Sequence, residues 1–169
     1  MVANITLRKI EDDKDKKALE SLVKELDGVI DRFLQLVDED ASAFSDVMNA
    51  FKMPKDTEEE KNRRREAIQK AFKMASQVPL ETARLAVRSG ELALIVSEKG
   101  EKNAISDVGC AISFINSAFE GARYNIKINL PSIKDGDFNS KVNKEIEELT
   151  KNLIGNLCSA KEMVVNNLT

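Results

Sequence analysis

Histidine and tryptophan are absent from the 169 residues, and the chain has only 2 cysteines, 3 prolines, 7 glycines and 5% aromatic residues. Without histidine there is no triad imidazole, no ordinary general base for neutral pH and no use of the commonest zinc ligand. Any catalysis then falls to carboxylates, lysines or backbone dipoles, and neither a metal nor a redox cofactor is expected. Cys110 and Cys158 lie inside helical apolar patterns, away from the spacing of a disulfide framework or a Cys-x-x-Cys site, so both read as free thiols. No charged start leads into an apolar stretch, and no apolar run is long enough to span a bilayer. A cytoplasmic chain with no membrane partner is expected. The net charge of −3, from 26 basic and 29 acidic residues, leaves no surface dedicated to nucleic acid. So few turn residues also argue against a many-stranded sheet.

What is abundant suits helices: 42% hydrophobic and 33% charged residues, with apolar positions recurring at steps of three and four. A single all-α domain over residues 1–169 follows, built as a bundle of about five helices. The first runs from about Lys17 to Lys52 on a seam of Leu19, Leu22, Leu26, Ile30, Phe33, Val37, Phe44, Val47 and Phe51, and stops at Met53-Pro54. Thr57 and Glu60 have capping-box spacing, so a second helix starts there with Ala71, Phe72, Ala75 and Val78 on its apolar side. Pro79 marks a break or the first turn of a third helix, which carries Leu80, Ala83, Val87 and Leu94 and stops near Gly100. The fourth opens at a Ser106-Asp107 cap and runs through Val108, Ala111, Ile115, Ala118, Ala122 and Ile126 towards Pro131. After the turn at residues 134–137, Val142, Ile146, Leu149, Leu153, Leu157, Ala160 and Val164 describe the last helix.

Four features could carry chemistry. Asp40 occupies a position on the first seam, between Val37 and Phe44, while Asp38 and Glu39 fall off it. A carboxylate buried there must find a polar partner or take up a proton; it either fixes bundle register or serves as a general acid. Asn125 and Asn129 share a helix face one turn apart, and can either satisfy the carbonyls of a helix end or read the edge of a heterocycle. Cys110, Ser113, Ser117 and Gly121 form a strip of small residues suited to close helix packing or a flat ligand. The run Lys61–Arg65 follows Glu58, Glu59 and Glu60, which can neutralise it at helical spacing and leave it a solvated face.

Several segments together resemble the cyclodeaminase domain of formiminotransferase-cyclodeaminase and its stand-alone relatives. They are MVAN at 1–4, LVDEDASAFSDVMNAFKMPKDTEEEKNRRREAIQKAFKMASQVPLETA at 36–83, SDVGCA at 106–111 and GARYNIKINLPSIKDGDF at 121–138. The resemblance implies a helical bundle that forms homodimers and acts on tetrahydrofolate carrying a one-carbon unit. Cyclodeaminases close the formimino carbon onto the second folate nitrogen and expel ammonia; close relatives hydrolyse the resulting methenyl bridge to the formyl form. It also implies that Asp40 is the proton donor and that Asp107, Asn125 and Asn129 hold the substrate. Arg64, within the basic run, is then a candidate for the glutamate end of a folate or its polyglutamate tail. Two departures stand out. The chain starts after the family's Gly-rich loop and leading helix, and it reads Gly100-Glu101 where the family usually has Gly-Asn. The absent loop motivates the alternative of a helical dimer retained as a folate-binding or assembly module without catalysis.

Overall fold

Five α-helices build the computed structural model, which describes residues 1–168. They are α1 (Val2–Leu7), α2 (Asp13–Lys52), α3 (Glu58–Lys99), α4 (Ile105–Asn129) and α5 (Gly136–Leu168), with a short 3₁₀ turn on each side of α4 and no strand among the described residues. The number of helices agrees with the expectation from sequence, but their membership does not. Pro79 breaks nothing: the predicted second and third helices are one continuous α3. The fifth helix is α1, too short to show a period. Helix interiors resist proline because it removes one hydrogen bond, and here another side chain replaces the missing donor: Asn129 Nδ2 donates to Ala75 O at 2.8 Å.

The helix ends are closed by short polar side chains. Asp12 accepts from the N–H groups of Lys14 and Asp15 at the head of α2. The Thr57–Glu60 capping box is present at the head of α3, where the Glu60 carboxylate is held below its ordinary range mainly by the Thr57 and Asp56 N–H groups. Asp135 accepts from Phe138 N–H at 3.0 Å to start α5, while Lys73 pairs with its other oxygen at 2.6 Å. The predicted Ser106-Asp107 cap is not used; α4 begins one residue earlier, behind Ala104, and Asp107 lies in its first turn. Gly100 ends α3 where a Cβ would sit 2.3 Å from Val96 O.

α3 is the central helix. α2 runs antiparallel to it, as the Arg88–Glu25 pair near one end and the Arg64–Phe51 contact at the other require. α5 runs parallel to α3 on another side, tied by Arg84–Glu145 and brought close by Gly90, where a Cβ would be 3.0 Å from Leu153 Cδ1. α4 fills the angle between α3 and α5, burying Phe119 and Ile126. The α5 seam is buried as predicted at Val142, Ile146, Leu153, Leu157, Ala160 and Val164.

The α2 seam is displaced. Leu19, Leu22 and Val47 are buried as predicted, but Val29, Leu36, Ala43 and Ala50 complete the buried face, whereas Ile30, Val37, Phe44 and Phe51 of the predicted seam are exposed, as are Leu34 and Met48. α2 carries two adjacent apolar stripes, and the one with smaller residues docks, because Ala43 and Ala50 let α2 approach Ala71 and Val78 of α3 closely. On its α5 side α2 is bound by charge: Arg32 meets Glu39 and Glu81, and Arg84 joins Glu81 to Glu145. Among the described residues no helix is long and apolar enough to cross a membrane.

Candidate active site

Because α2 rests on α3 and scarcely touches α4, the two outer helices flank an open groove with α3 as its floor. One stretch of it, about 420 Å³, is lined by Val37 and Asp40 from α2, Pro79 and Thr82 from α3, and Gly121 and Asn125 from α4. It continues past Phe33 into a more apolar stretch of about 390 Å³, walled by Leu26 and Ile30, floored by Ala93 and closed by Met1, Val2 and Ala3 of the N-terminal segment. Volumes of this order suit a small ligand, and a mostly apolar lining with a few convergent polar groups is the usual make-up of such sites.

Asp40 is exposed, not buried as its periodicity predicts. The reason is the displaced seam: with Leu36 and Ala43 docked on α3, Asp40 projects to the rim of the groove. None of the hydrogen bonds or ion pairs among the described residues uses it. Glu39 beside it is turned the other way, held below its ordinary range by its hydrogen bonds from Arg32. Asn125 is also exposed and lines the same groove from the opposite wall, so the structure brings Asp40 and Asn125 together.

The other expected site residues are elsewhere. Asp107 lines the far stretch, and at 1.5 Å per residue along α4 it lies roughly 27 Å from Asn125. One small reacting centre cannot touch both within one chain. Asn129 is committed to Ala75 O. Arg64 closes the α2–α3 turn, donating from Nε and Nη2 to Phe51 O at 3.3 and 3.1 Å with its guanidinium 5.7 Å above the Phe51 ring. Its neighbours behave as a solvated face: Lys61 pairs with Glu58 and Arg63 with Glu59. The Glu101 charge is met by Lys9 at 2.7 Å, which with the Asn103 N–H holds its carboxylate low.

Thr82, Pro79 and Phe33 are groove residues that sequence reasoning does not single out as functional. Thr82 donates to Val78 O at 3.2 Å, a bond within its own helix, and only its neighbour Pro79 signals that this turn of α3 is unusual. Cys110, Ser113, Ser117 and Gly121 face outwards on α4, and a Cβ at Gly121 would meet nothing within 4 Å. Among the described residues, then, no helix packs on that strip of small residues. Chemically, the groove offers a carboxyl group able to give or take a proton, an amide facing it, and apolar walls for a flat ring.

The formiminotransferase-cyclodeaminase family matches residues 1–148. The chain is 34% identical to methenyltetrahydrofolate cyclohydrolase of Methylorubrum extorquens over 149 residues, covering 88% of this chain and 72% of that protein. It is 29% identical to formimidoyltransferase-cyclodeaminase of Rattus norvegicus over 149 residues, which is 28% of the rat protein's length. Its fold is similar to that of formiminotetrahydrofolate cyclodeaminase from Thermotoga maritima, with a TM-score of 0.87 at 27% identity, over 100% of this chain and 80% of the other.

Proposed function

The chain belongs to the formiminotransferase-cyclodeaminase family, and from that premise we propose that it is a methenyltetrahydrofolate cyclohydrolase whose site is the α2–α4 groove, with Asp40 as general acid and base. The observation that carries this reading is Asp40 facing Asn125 across the apolar floor of Pro79. In the reaction, water adds to the positively charged methenyl carbon and loses a proton, forming a carbinolamine. The carbinolamine hydroxyl then gives up its proton to solvent as the bond from that carbon to the N5 nitrogen of the pterin breaks and N5 gains a proton, and the formyl group stays on N10. Asp40 takes the first proton and returns the second, while Asn125 holds the polar edge of the pterin. The same carboxyl group serves ammonia loss from a formimino substrate, by protonating the departing nitrogen.

The reading includes a homodimer that covers the groove. Ile30, Leu34, Val37, Phe44, Met48 and Phe51 form an exposed ridge on α2 at alternating steps of four and three, broken only by Ala41. The small residues of α4 form a shallow valley alongside. A two-fold axis would set each copy's ridge in its partner's valley, the self-complementary contact that a symmetric dimer requires. That contact would take Asp40 out of bulk water.

The test is loss of methenyltetrahydrofolate absorbance with the purified chain against the uncatalysed rate. Acceleration that falls about 100-fold or more in Asp40→Asn is expected, the usual size of a general acid–base contribution. Acceleration unchanged by that substitution removes Asp40 from the chemistry. If methenyltetrahydrofolate is not accelerated at all, ammonia release from formiminotetrahydrofolate decides for the cyclodeaminase reaction. With neither substrate consumed, folate binding without turnover would make the chain a binding module.

A further inference from the structure

Pro79 and Asn129 stand 50 positions apart in the sequence, yet their surroundings meet across the helices that form the groove. Pro79 has no N–H, so Ala75 O, four residues earlier in α3, loses its helical donor. The hydroxyls within a turn are engaged elsewhere: Ser76 donates to Phe72 O and Thr82 to Val78 O. A half-buried carbonyl without a donor is costly, and Asn129 Nδ2 meets it at 2.8 Å. The amide must present its nitrogen, because its oxygen has no proton to give a carbonyl.

Asn129 is the last residue of α4, and Asn125 lies one turn before it on the same helix. Pro79, whose ring forms the groove floor, lies one turn after Ala75. The single bond therefore pins the last turn of one groove wall to the turn of α3 beneath it. We infer that Asn129 is a positioning residue: it stands in for the N–H that Pro79 lacks, and so fixes Asn125 over the groove opposite Asp40. This rests on the groove being the folate site. The sequence pair Pro79 and Asn129 is then one device, in which the proline creates a vacancy on α3 that a donor from α4 fills.

The experiment is a double-mutant cycle with Asn129→Ala, Pro79→Ala and both together, read by kcat and KM for methenyltetrahydrofolate and by thermal midpoint. Alanine at 79 restores the backbone donor, so Ala75 O no longer needs the amide. In the Pro79 chain Asn129→Ala should lower kcat between about 10- and 100-fold, the scale of a misplaced group, with KM little changed. In the Pro79→Ala chain the same change should alter kcat by less than about twofold. Added to Asn125→Ala, it should cost nothing further, because Asn129 acts through Asn125. Equal losses of kcat in both position-79 backgrounds would overturn the inference, as would a raised KM with kcat intact, which would mean direct contact with substrate. In a chain that turned over neither folate, the thermal midpoints of the same four proteins still decide whether Asn129 and Pro79 are coupled. The inference and the folate reading can therefore fail separately.

Discussion

Asp38, Glu39 and Asp40 are three consecutive acids with three different surroundings. Asp38 faces solvent, Glu39 is held by Arg32 on the α5 side, and Asp40 overlooks the groove with Asn125 opposite. Helical geometry separates them by about 100° each, which is why the apolar period alone sets Asp40 apart from its two neighbours. The period does not decide how deeply Asp40 sits, because α2 has two apolar stripes and only the packing against α3 selects one. Substitution should follow these surroundings. Asp38→Asn should leave folate turnover within about twofold of the unmodified chain, in contrast with the loss expected for Asp40→Asn. Steady-state kinetics on the two variants checks the difference, and equal losses would show that total charge matters rather than position. Asn129 shows the opposite limit of legibility. Its type and helix are readable in the sequence, but its partner lies 54 residues away in the chain, one turn before a proline that reads locally as a helix end.

At the scale of elements, α5 and the Thr57 cap are legible in the sequence because their determinants lie within a few turns of one another. Continuity of α3 is not, since it depends on a donor from α4. Two changes test the elements themselves. Gly90→Val places a Cβ 3.0 Å from Leu153 Cδ1, with two further methyls to fit, and should destabilise the chain by about 1–3 kcal/mol, the range for overpacking, in chemical denaturation. Thr57→Ala removes the bond to Glu60 N–H and should cost about 1 kcal/mol by the same measurement. The α2 ridge makes a different prediction. Phe44 is 65% exposed, so Phe44→Glu should leave the helical fold intact while converting a dimer to monomer in sedimentation. If the proposed contact covers Asp40, folate turnover should fall with dimer content. A wild-type chain that sediments as a monomer would remove this part of the reading.

Among the described residues charge is carried in pairs, some within one helix, as Arg32 with Glu39, and some between elements, as Arg88 with Glu25 and Lys9 with Glu101. Glu25, Glu39 and Glu101 are each held below the ordinary glutamate value of 4.5, led in every case by a hydrogen bond from a cation: Arg88, Arg32 and Lys9. A carboxylate whose folded value is depressed contributes stability above its unfolded value and loses it as pH falls through the folded one. The thermal midpoint should therefore hold between neutral pH and about 5, then drop below 4.5, with added salt weakening the effect because these pairs are exposed. The length of the molecule also divides unevenly. In its first half α2 sets Leu22 and Val29 into the main core, but beyond Leu36 it meets α3 largely through alanines while its larger side chains point away. Alanine contacts shield little area, so the amide hydrogens between Ala41 and Lys52 should exchange with solvent well before those between Leu19 and Phe33. On that expectation, the carboxyl group proposed for catalysis sits at the boundary between a stretch of helix that should rarely open and one that should open often.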